Sequence, residues 1–398
     1  MTKNILVISA EFTGHGHKSI TESLCEKFKD HSDVKIYIID GFSLGGKLLK
    51  NIGKSYGPIT RNVKELWRLI WNLSSIKPSL VNRLIESEIK YNFIQVLEKI
   101  KPDLILSVHP NFNGSIINIL EEYKIKIPVI TLIADLVSIY PLWADKRADY
   151  IISPTQEAKD KCVEFGVSEE KVQVLGFPVR SRFYEHTANS KESNYYDIDK
   201  PLRCLIMSGG EGVGNMRRIA ENLLDNFNCT VKVIAGRNTK LREKLEKSLT
   251  AKYGHAVQIY GFMENIQDLM LDSDIAFTRG SPNVMMEAIA CNVPLVITDA
   301  LPGQEAGNPK FAEKYNIGVM CKDIKNIQNT ISNLLVNNAQ ELNQIKKSQK
   351  GYSDPYVANN IVNFILNIDC LNSEVAMSGV SLKTIKHRNK NILYRCFK

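Results

Sequence analysis

The sequence lacks the patterns that mark several large classes of protein. No stretch approaches 18 consecutive apolar residues, so no membrane-spanning helix is expected. The eight cysteines include no Cys-x-x-Cys pair, which argues against a zinc site or a disulfide scaffold and for a reducing compartment. No signal-peptide pattern precedes the first strand pattern at Asn4. These absences favour a globular protein of the cytoplasm.

The familiar nucleotide fingerprints are missing as well. Two glycine-rich turns each follow an apolar run and precede a helical pattern: "GHGHKS" at residues 14–19 and "GGEGVG" at residues 209–214. Ser19 stands where a dinucleotide fingerprint has its third glycine, the second turn has the wrong spacing, and no Walker A motif is present. Hydride transfer with a nicotinamide cofactor therefore loses its main support. Phosphate binding by backbone amides at helix N-termini remains.

Acidic residues are scarce in two stretches. Residues 45–84 hold eight lysines and arginines against the single acid Glu65, and residues 380–398 hold six basic residues and no acid. Such stripes suit nucleic acid, an anionic membrane or simply a solvated surface. Because no base-reading or stacking-aromatic motif accompanies them, nucleic acid is not expected as a partner.

The order of apolar runs predicts the fold class. Runs such as "NILVISA", "VKIYIID", "DLILSV", "RCLIMS" and "IAFT" alternate with helical patterns, which is typical of parallel sheets with crossover helices. The pattern stops in a polar stretch and then restarts, so we expect two Rossmann-like α/β domains that face each other across a cleft. The predicted boundaries are a first domain at 1–185, a linker at 186–200, a second domain at 201–370 and a basic tail at 371–398.

Residues 260–308 carry the strongest chemical signal. Arg279 to Pro282 are predicted to form a turn that opens a helix, and Glu287 lies in the second turn of that helix. The positive end of the helix would favour a diphosphate, and the carboxylate can accept hydrogen bonds from ribose hydroxyls. Further on, "PGQEAGN" places Gln304 beside Glu305, which together offer donors and acceptors to the hydroxyls of a sugar.

With these residues in view, the chain resembles the monogalactosyldiacylglycerol synthase family, which includes bacterial processive diacylglycerol glucosyltransferases. The stretches "GGEGVG", "GRNTKL", "PGQEAGN", "SVHP", "PLW" and "GFPVR" carry the resemblance, and it runs from about residue 4 to 365. The chain is more remotely similar to the enzyme that adds N-acetylglucosamine to lipid I. The resemblance implies a GT-B fold, an inverting mechanism, a UDP-sugar donor, and a membrane lipid, most simply diacylglycerol, as acceptor.

The resemblance also implies roles for individual residues. His17 matches the family's histidine, which acts as base or binds an activating lipid, and Asp135 is the alternative base or the group that orients the imidazole. The donor site is expected to use Gly209, Gly210, Glu211, Gly212, Phe262, Arg279, Ser281, Asn283, Glu287, Gln304 and Glu305. The acceptor and membrane side is expected to use Gly14, Gly16, His109, Tyr140, Trp143, Trp67 and Trp71. Given a lipid acceptor, the basic segment 64–84 with its two tryptophans is interpreted as docking on anionic lipid rather than as core.

Several positions depart from the family pattern and keep alternatives open. The diphosphate turn reads Ser281-Pro282-Asn283-Val284 instead of Gly-Pro-Gly-Thr, and Ala134 and Tyr140 replace a threonine and a histidine near the acceptor. A UDP-sugar epimerase or hydrolase, or a non-catalytic UDP-sugar sensor, therefore stays an alternative. The Asp-x-Asp motif at residues 272–274 is expected to face away from the site, so no metal is predicted.

Overall fold

The computed structural model describes residues 2–10, 16–62, 77–185, 195–207, 215–369 and 395–397. The chain divides into two compact units, one formed by Met1–Arg180 with Tyr356–Lys398 and the other by Ser181–Pro355. Each unit is built on its own sheet of parallel strands, which confirms the α/β prediction. Among the helices of the described ranges, none is long and apolar enough to cross a bilayer.

The sheet of the first unit is built from strands that sequence patterning predicted. In the described ranges its parallel strands are β1 Lys3–Ser9, β2 Val34–Asp40, β3 Leu104–Ser107, β4 Val129–Leu132, β5 Tyr150–Ser153 and β6 Val172–Val174. They lie in the order β2-β1-β3-β4-β5-β6. All residues of β3 and β4 are buried, as expected for parallel strands covered on both faces by helices. The helices are α1 Gly16–Phe28, α2 Gly41–Leu44, α3 Lys47–Asn62, α4 Pro78–Ile100, α5 Pro110–Glu122 and α6 Gln156–Glu164.

The second unit repeats this architecture. Its described strands are β7 Leu202–Met207, β8 Cys229–Ile234, β9 Val257–Tyr260, β10 Ile275–Arg279, β11 Leu295–Asp299 and β12 Gly318–Met320, in the order β12-β11-β10-β7-β8-β9. The helices are α7 Met216–Asn226, α8 Thr239–Leu245, α9 Ala251–Tyr253, α10 Ile266–Leu271, α11 Pro282–Ala290, α12 Asn308–Lys314 and α13 Ile327–Tyr352. A π-helical turn at Glu246–Thr250 precedes α9, and residues of positive φ at Asn337, Asn338 and Ala339 interrupt α13. The apolar faces of the strands and helices form one core.

The predicted end of the second domain at residue 370 is wrong. Helix α14 (Val357–Leu366) belongs to the first unit, where it packs against α1. The ammonium group of Lys3 donates to the carbonyls of Ile365 and Leu366 at 3.3 and 3.0 Å, and so caps the C-terminal end of this helix. The chain therefore returns to the first unit at Tyr356, because the apolar face of α14 is covered there.

Two further boundaries differ from the prediction. The chain enters the second unit at Ser181, and the described residues 195–200 of the predicted linker belong to that unit, where the backbone amide of Tyr196 donates to Asn343 Oδ1 at 2.9 Å. In the predicted tail, β13 (Arg395–Phe397) pairs antiparallel with the edge strand β2. The free edge of a sheet accepts such a strand because its backbone groups are unpaired.

Candidate functional site

Helix α1 begins at Gly16, so His17 lies in the first turn of that helix. Its Nδ1 lies 2.6 Å from the backbone carbonyl oxygen of Val108, just beyond the end of β3. Because a carbonyl oxygen only accepts, Nδ1 must carry the hydrogen, and this contact assigns the tautomer. The lone pair of the ring is then on Nε2, which makes that atom the proton acceptor.

Burial lowers the pKa of His17 to about 4, against a smaller opposite effect of the hydrogen bond to Val108. The side chain is half-buried in the folded unit, where the charged form of an imidazole is poorly solvated. His17 is therefore neutral at physiological pH. A neutral imidazole with a defined Nε2 lone pair has the protonation state that a general base requires.

Asp135 and Trp143 form a buried pair beside this histidine. The indole Nε1–H of Trp143 donates to Asp135 Oδ2 at 2.7 Å, and both side chains are buried. The Trp143 ring lies 6.3 Å from the ring of His17. Asp135 was predicted either to act as the base or to orient the imidazole of His17. The Val108 carbonyl, and not Asp135, binds Nδ1 of that imidazole.

Among the predicted acceptor residues that the structure describes, His109, Tyr140 and Trp143 lie close together, and His109 and Trp143 are buried. The ring of His109 is 4.5 Å from that of His17, and its Nδ1 accepts from the backbone amide of Asn111 at the start of α5. The hydroxyl of Tyr140 donates to the Asn111 side-chain oxygen at 3.1 Å. The buried rings of His109 and Trp143 thus lie beside the ring of His17.

In the second unit, the predicted diphosphate turn is hydrogen-bonded to both ends of the loop between β11 and α12. The backbone amide of Gly280 donates to the carbonyl of Asp299 at 2.8 Å. The side-chain amide of Asn308 donates back to the carbonyl of Gly280 at 2.7 Å, from a fully buried position. This turn ends at Pro282, the first residue of α11, as the sequence predicted. The two loops are thus fixed against each other before any ligand binds.

The same two loops are joined by an ion pair. Arg279 Nε lies 2.9 Å from Glu305 Oε2, and both side chains are largely buried. The same carboxylate oxygen accepts from the backbone amide of Leu301 at 2.8 Å. Glu305, predicted to contact the sugar, therefore also holds Arg279 in place.

Four further predicted donor residues lie in or next to these two loops and α11. Ser281 precedes α11, Asn283 and the buried Glu287 lie in its first two turns, and Gln304 lies half-buried beside Glu305. Amides at the start of α11 and carboxylate and amide groups nearby are the chemistry that binds a phosphorylated sugar.

An aromatic surface lies at the ends of β8 and β9. Phe262 follows β9 and is 44% exposed, and the guanidinium carbon of Arg237 lies 4.0 Å from the centre of its ring. Gly236 has a φ of +61°, which allows the turn that brings Arg237 over the ring. A nucleobase can stack on such a surface.

The Asp-x-Asp motif directly precedes β10 and lies at the N-terminal end of this strand, whereas the predicted diphosphate turn follows its C-terminal end. Asp274 Oδ1 lies 2.8 Å from Arg203 Nη2, and Asp272 binds both Arg203 and Lys232. These carboxylates neutralise basic side chains of the neighbouring strands β7 and β8. Within the described ranges, no cluster of three or more metal-ligating side chains is found.

Some predicted residues lie outside the described ranges. These are Gly14, Trp67, Trp71, Gly209, Gly210, Glu211 and Gly212. Gly16 is described as the first residue of α1.

Four residues that the sequence did not single out are part of the observed sites. Val108 acts through its backbone carbonyl, which no side-chain pattern reveals. Asn111 and Asn308 hold turns by hydrogen bonds, and Arg237 stacks on Phe262. The motifs "GRNTKL" and "PGQEAGN" contain Arg237 and Asn308 and were the available signal.

Comparison with protein-family models assigns both halves of the chain. The model for monogalactosyldiacylglycerol (MGDG) synthase matches residues 17–179, and the model for glycosyl transferases group 1 matches residues 213–337. The first range contains His17, His109 and Asp135. The second contains the predicted donor residues from Phe262 to Glu305, whereas Gly209 to Gly212 precede it. The chain is thus a glycosyltransferase.

Curated relatives are similar over nearly the whole length. A probable monogalactosyldiacylglycerol synthase 2 of Oryza sativa subsp. japonica is 26% identical over 379 residues, which is 90% of this chain and 79% of the relative. A processive diacylglycerol beta-glucosyltransferase of Bacillus cereus is 26% identical over 372 residues, covering 92% of this chain and 94% of the relative.

Solved structures agree on the fold. A MurG of Acinetobacter baumannii superposes with a TM-score of 0.61 at 15% identity, covering 92% of this chain and all of the other. A UDP-GlcNAc 2-epimerase of Neisseria meningitidis superposes with a TM-score of 0.59 at 16% identity and the same coverage. The GT-B fold is confirmed, and the likeness to an epimerase means that fold alone does not select the reaction.

Proposed function

We infer that this chain, a GT-B glycosyltransferase related to the monogalactosyldiacylglycerol synthases and processive diacylglycerol glucosyltransferases, transfers a hexose from a UDP-sugar to the hydroxyl of a membrane lipid with inversion. Diacylglycerol is the proposed acceptor. The observation that carries the proposal is His17, which is neutral and half-buried and has its Nδ1 occupied by Val108. The relatives identified above support lipid glycosylation over the other reactions of this fold.

On the acceptor side, the proposed role of His17 is proton transfer. Its Nε2 takes the proton of the lipid hydroxyl while the oxygen attacks the anomeric carbon. The bond from that carbon to the UDP oxygen breaks with its electron pair moving to UDP. The Val108 carbonyl stabilises the imidazolium that forms, since it accepts the Nδ1 proton at 2.6 Å.

On the donor side, the proposed role of the second unit is to bind UDP and stabilise its charge as it leaves. The amides at the start of α11 face the diphosphate, Glu287 binds the ribose, and Phe262 supports the base. The Gln304–Glu305 pair receives the hydroxyls of the hexose. Because the ion pair and the Asn308 hydrogen bond already order these loops, little reorganisation is needed during the reaction.

One assay tests this proposal against its alternatives. Purified protein is given UDP-glucose, UDP-galactose or UDP-N-acetylglucosamine, each with and without diacylglycerol in vesicles, and both UDP release and the lipids are analysed, the latter by mass spectrometry. The proposal expects a glycosylated lipid and UDP release that depends on diacylglycerol. UDP release or epimerisation without lipid would favour the epimerase or hydrolase, and binding without turnover would favour a sensor.

We further propose that the protein is peripheral on the cytoplasmic face of the membrane and binds anionic lipid there. The described part of the basic stretch supports this. Lys47, Lys50 and Lys54 are exposed on α3 together with Ile52, and Leu84 of α4 is 69% exposed. Exposed apolar side chains beside exposed lysines are typical of an interfacial segment.

Membrane binding is predicted to depend on these apolar side chains. Leu80 and Leu84 are one helical turn apart on α4, and both are exposed. The change Leu80→Glu with Leu84→Glu removes apolar insertion and adds two repelling charges. We expect vesicle affinity to fall by roughly tenfold or more, since each charge near the surface is worth about 1 kcal/mol.

Sedimentation with phosphatidylglycerol vesicles measures this effect. The control is Val174→Glu, which introduces the same charge at a similarly exposed apolar position at the end of β6. Binding that is unchanged in the double variant, or that is insensitive to phosphatidylglycerol content in the parent protein, would refute the proposed surface.

Transfer is predicted to be independent of a metal ion. The carboxylates of Asp272 and Asp274 already bind Arg203, and helix amides are proposed to stabilise the departing diphosphate. We therefore expect a chelator to change the rate by less than roughly twofold, a negligible free energy. Loss of activity with the chelator, restored by Mn²⁺ or Mg²⁺, would contradict the prediction.

A further inference from the structure

The turn between β3 and α5 contacts His17 in two ways. Val108 supplies the carbonyl that accepts the Nδ1 hydrogen, and the next residue, His109, packs its ring at 4.5 Å from the His17 ring with the planes tilted by 50°. One turn thus determines both the rotation and the tautomer of the imidazole.

This turn is itself fixed on both sides. The backbone amide of Val108 donates to the carbonyl of Ile8 in β1 at 2.9 Å. The Ser107 hydroxyl donates to the carbonyl of His109 at 3.3 Å, and His109 Nδ1 accepts the backbone amide of Asn111 at 3.3 Å. The Val108 carbonyl is therefore held in a defined position before a substrate binds.

His109 is packed as a structural ring rather than as a substrate contact. Only 5% of its surface is exposed, and the rings of Phe42 and Phe112 each lie 5.3 Å away. Because its Nδ1 accepts a hydrogen bond, its own hydrogen is on Nε2. Burial lowers the pKa of His109 well below its usual value, and the nearby His17 lowers it further, so the ring is neutral.

We propose that His109 is a positioning residue, whose ring packs against His17 and keeps its Nδ1 on the Val108 carbonyl, so that Nε2 always presents the lone pair. The proposal rests on the function proposed above for His17. It assigns to His109 a role different from the acceptor contact that family resemblance implied.

Two variants separate the two features of the His109 side chain. His109→Asn loses the ring but keeps an oxygen that can accept the Asn111 amide, since asparagine is a good N-cap residue. His109→Phe keeps a packed ring but loses the acceptor. If ring packing positions His17, His109→Asn should lose the fixed Nδ1–H form of the His17 ring and His109→Phe should retain it.

The first readout is the tautomer of His17, measured by NMR of protein with ¹⁵N-labelled histidine and assigned with His17→Gln. The parent protein is expected to show the Nδ1–H form alone, His109→Asn a mixture of both forms, and His109→Phe the parental form. A parental tautomer in His109→Asn would overturn the proposal. This readout needs no turnover, so it stands even if the transfer reaction is not found.

The second readout is the division between kcat and KM for lipid glycosylation. We expect His109→Asn to lower kcat by roughly 10- to 100-fold with little change in either KM, since a misplaced base costs rate rather than binding. An increased acceptor KM with unchanged kcat would instead make His109 an acceptor contact and overturn the proposal. His255→Asn, at an exposed histidine of the second unit, is the matched control and is expected to behave like the parent protein.

Discussion

Replacing His17 by alanine is expected to lower kcat for glycosyl transfer by roughly 10²- to 10⁴-fold, which is the usual contribution of a general base. The variant loses the only proposed proton acceptor of the lipid hydroxyl, whereas the residues of the donor-type site are untouched. Donor affinity, measured by calorimetry with UDP, should therefore remain within about twofold of the parent value, because a missing base affects chemistry and not binding.

The pH dependence of the parent enzyme should report the same group. Because burial holds the pKa of His17 at about 4, the base is unprotonated above that pH, and the acid limb of kcat/KM is expected near pH 4. A solvent-exposed histidine would place that limb near 6.5 instead. His17→Ala should remove the limb together with most of the activity.

Unfolding at low pH would also lower kcat/KM and has to be distinguished from protonation of His17. The folded state disfavours the protonated forms of His17 and His109, whereas the unfolded chain protonates both near its ordinary pKa of 6.5. The contribution of these two histidines to the free energy of unfolding is therefore fully present above about pH 6.5 and is lost as the pH decreases toward 4. For His17 this loss is about 3 kcal/mol. Circular dichroism at each pH has to separate loss of fold from loss of the base.

His255→Ala is the matched control for His17→Ala, since it removes an exposed histidine from the second unit. It is expected to leave kcat and the acid limb unchanged. Transfer that survives in His17→Ala at more than about a tenth of the parent rate would exclude His17 as the base, because a tenfold change corresponds to only 1.4 kcal/mol of barrier. Asp135, beside Trp143, would then be the group to replace next.

The sequence predicted most strands because each is a short apolar run between turn residues. Strand β12 (Gly318–Met320) was missed because it is short and begins at a glycine, a residue depleted in strands. The position of α14 was missed for a different reason. An amphipathic helix shows in its sequence that one face is buried, but not which of two domains covers that face.

The candidate site was predictable to the extent that side chains carry its chemistry. His17, Asp135 and Glu287 were identified from resemblance and residue type. The Val108 carbonyl was not, because every residue has one and only the fold places this one 2.6 Å from an imidazole. The pairing of Arg279 with Glu305 was likewise invisible, since the two residues are separated by a helix and a strand in the sequence.

The Arg279–Glu305 pair leads to the largest expected effect on stability. In Arg279→Ala the carboxylate of Glu305, with a side chain only 4% exposed, loses the cation at 2.9 Å and keeps the hydrogen bond from Leu301. Removing one partner of a buried ion pair costs roughly 3–5 kcal/mol because the other charge stays buried. The melting temperature of the second unit should fall by roughly 10 °C, at roughly 2–4 °C per kcal/mol for a unit of this size.

Two further variants decide whether the buried charge causes this loss. Arg217→Ala breaks an ion pair with Glu221 in the same unit that is similarly short, at 2.7 Å, but exposed on a helix surface. It should cost roughly 0.5 kcal/mol or less. Arg279→Met combined with Glu305→Gln removes both charges while keeping the volume, and is expected to recover most of the stability that Arg279→Ala loses. We expect this double variant to bind UDP-sugar more weakly than the parent protein, because both side chains belong to the proposed donor site. Equal melting temperatures for Arg279→Ala and Arg217→Ala would show that the buried pair does not order these loops, and the preformed donor site would then have to rest on Asn308 and Gly280 alone.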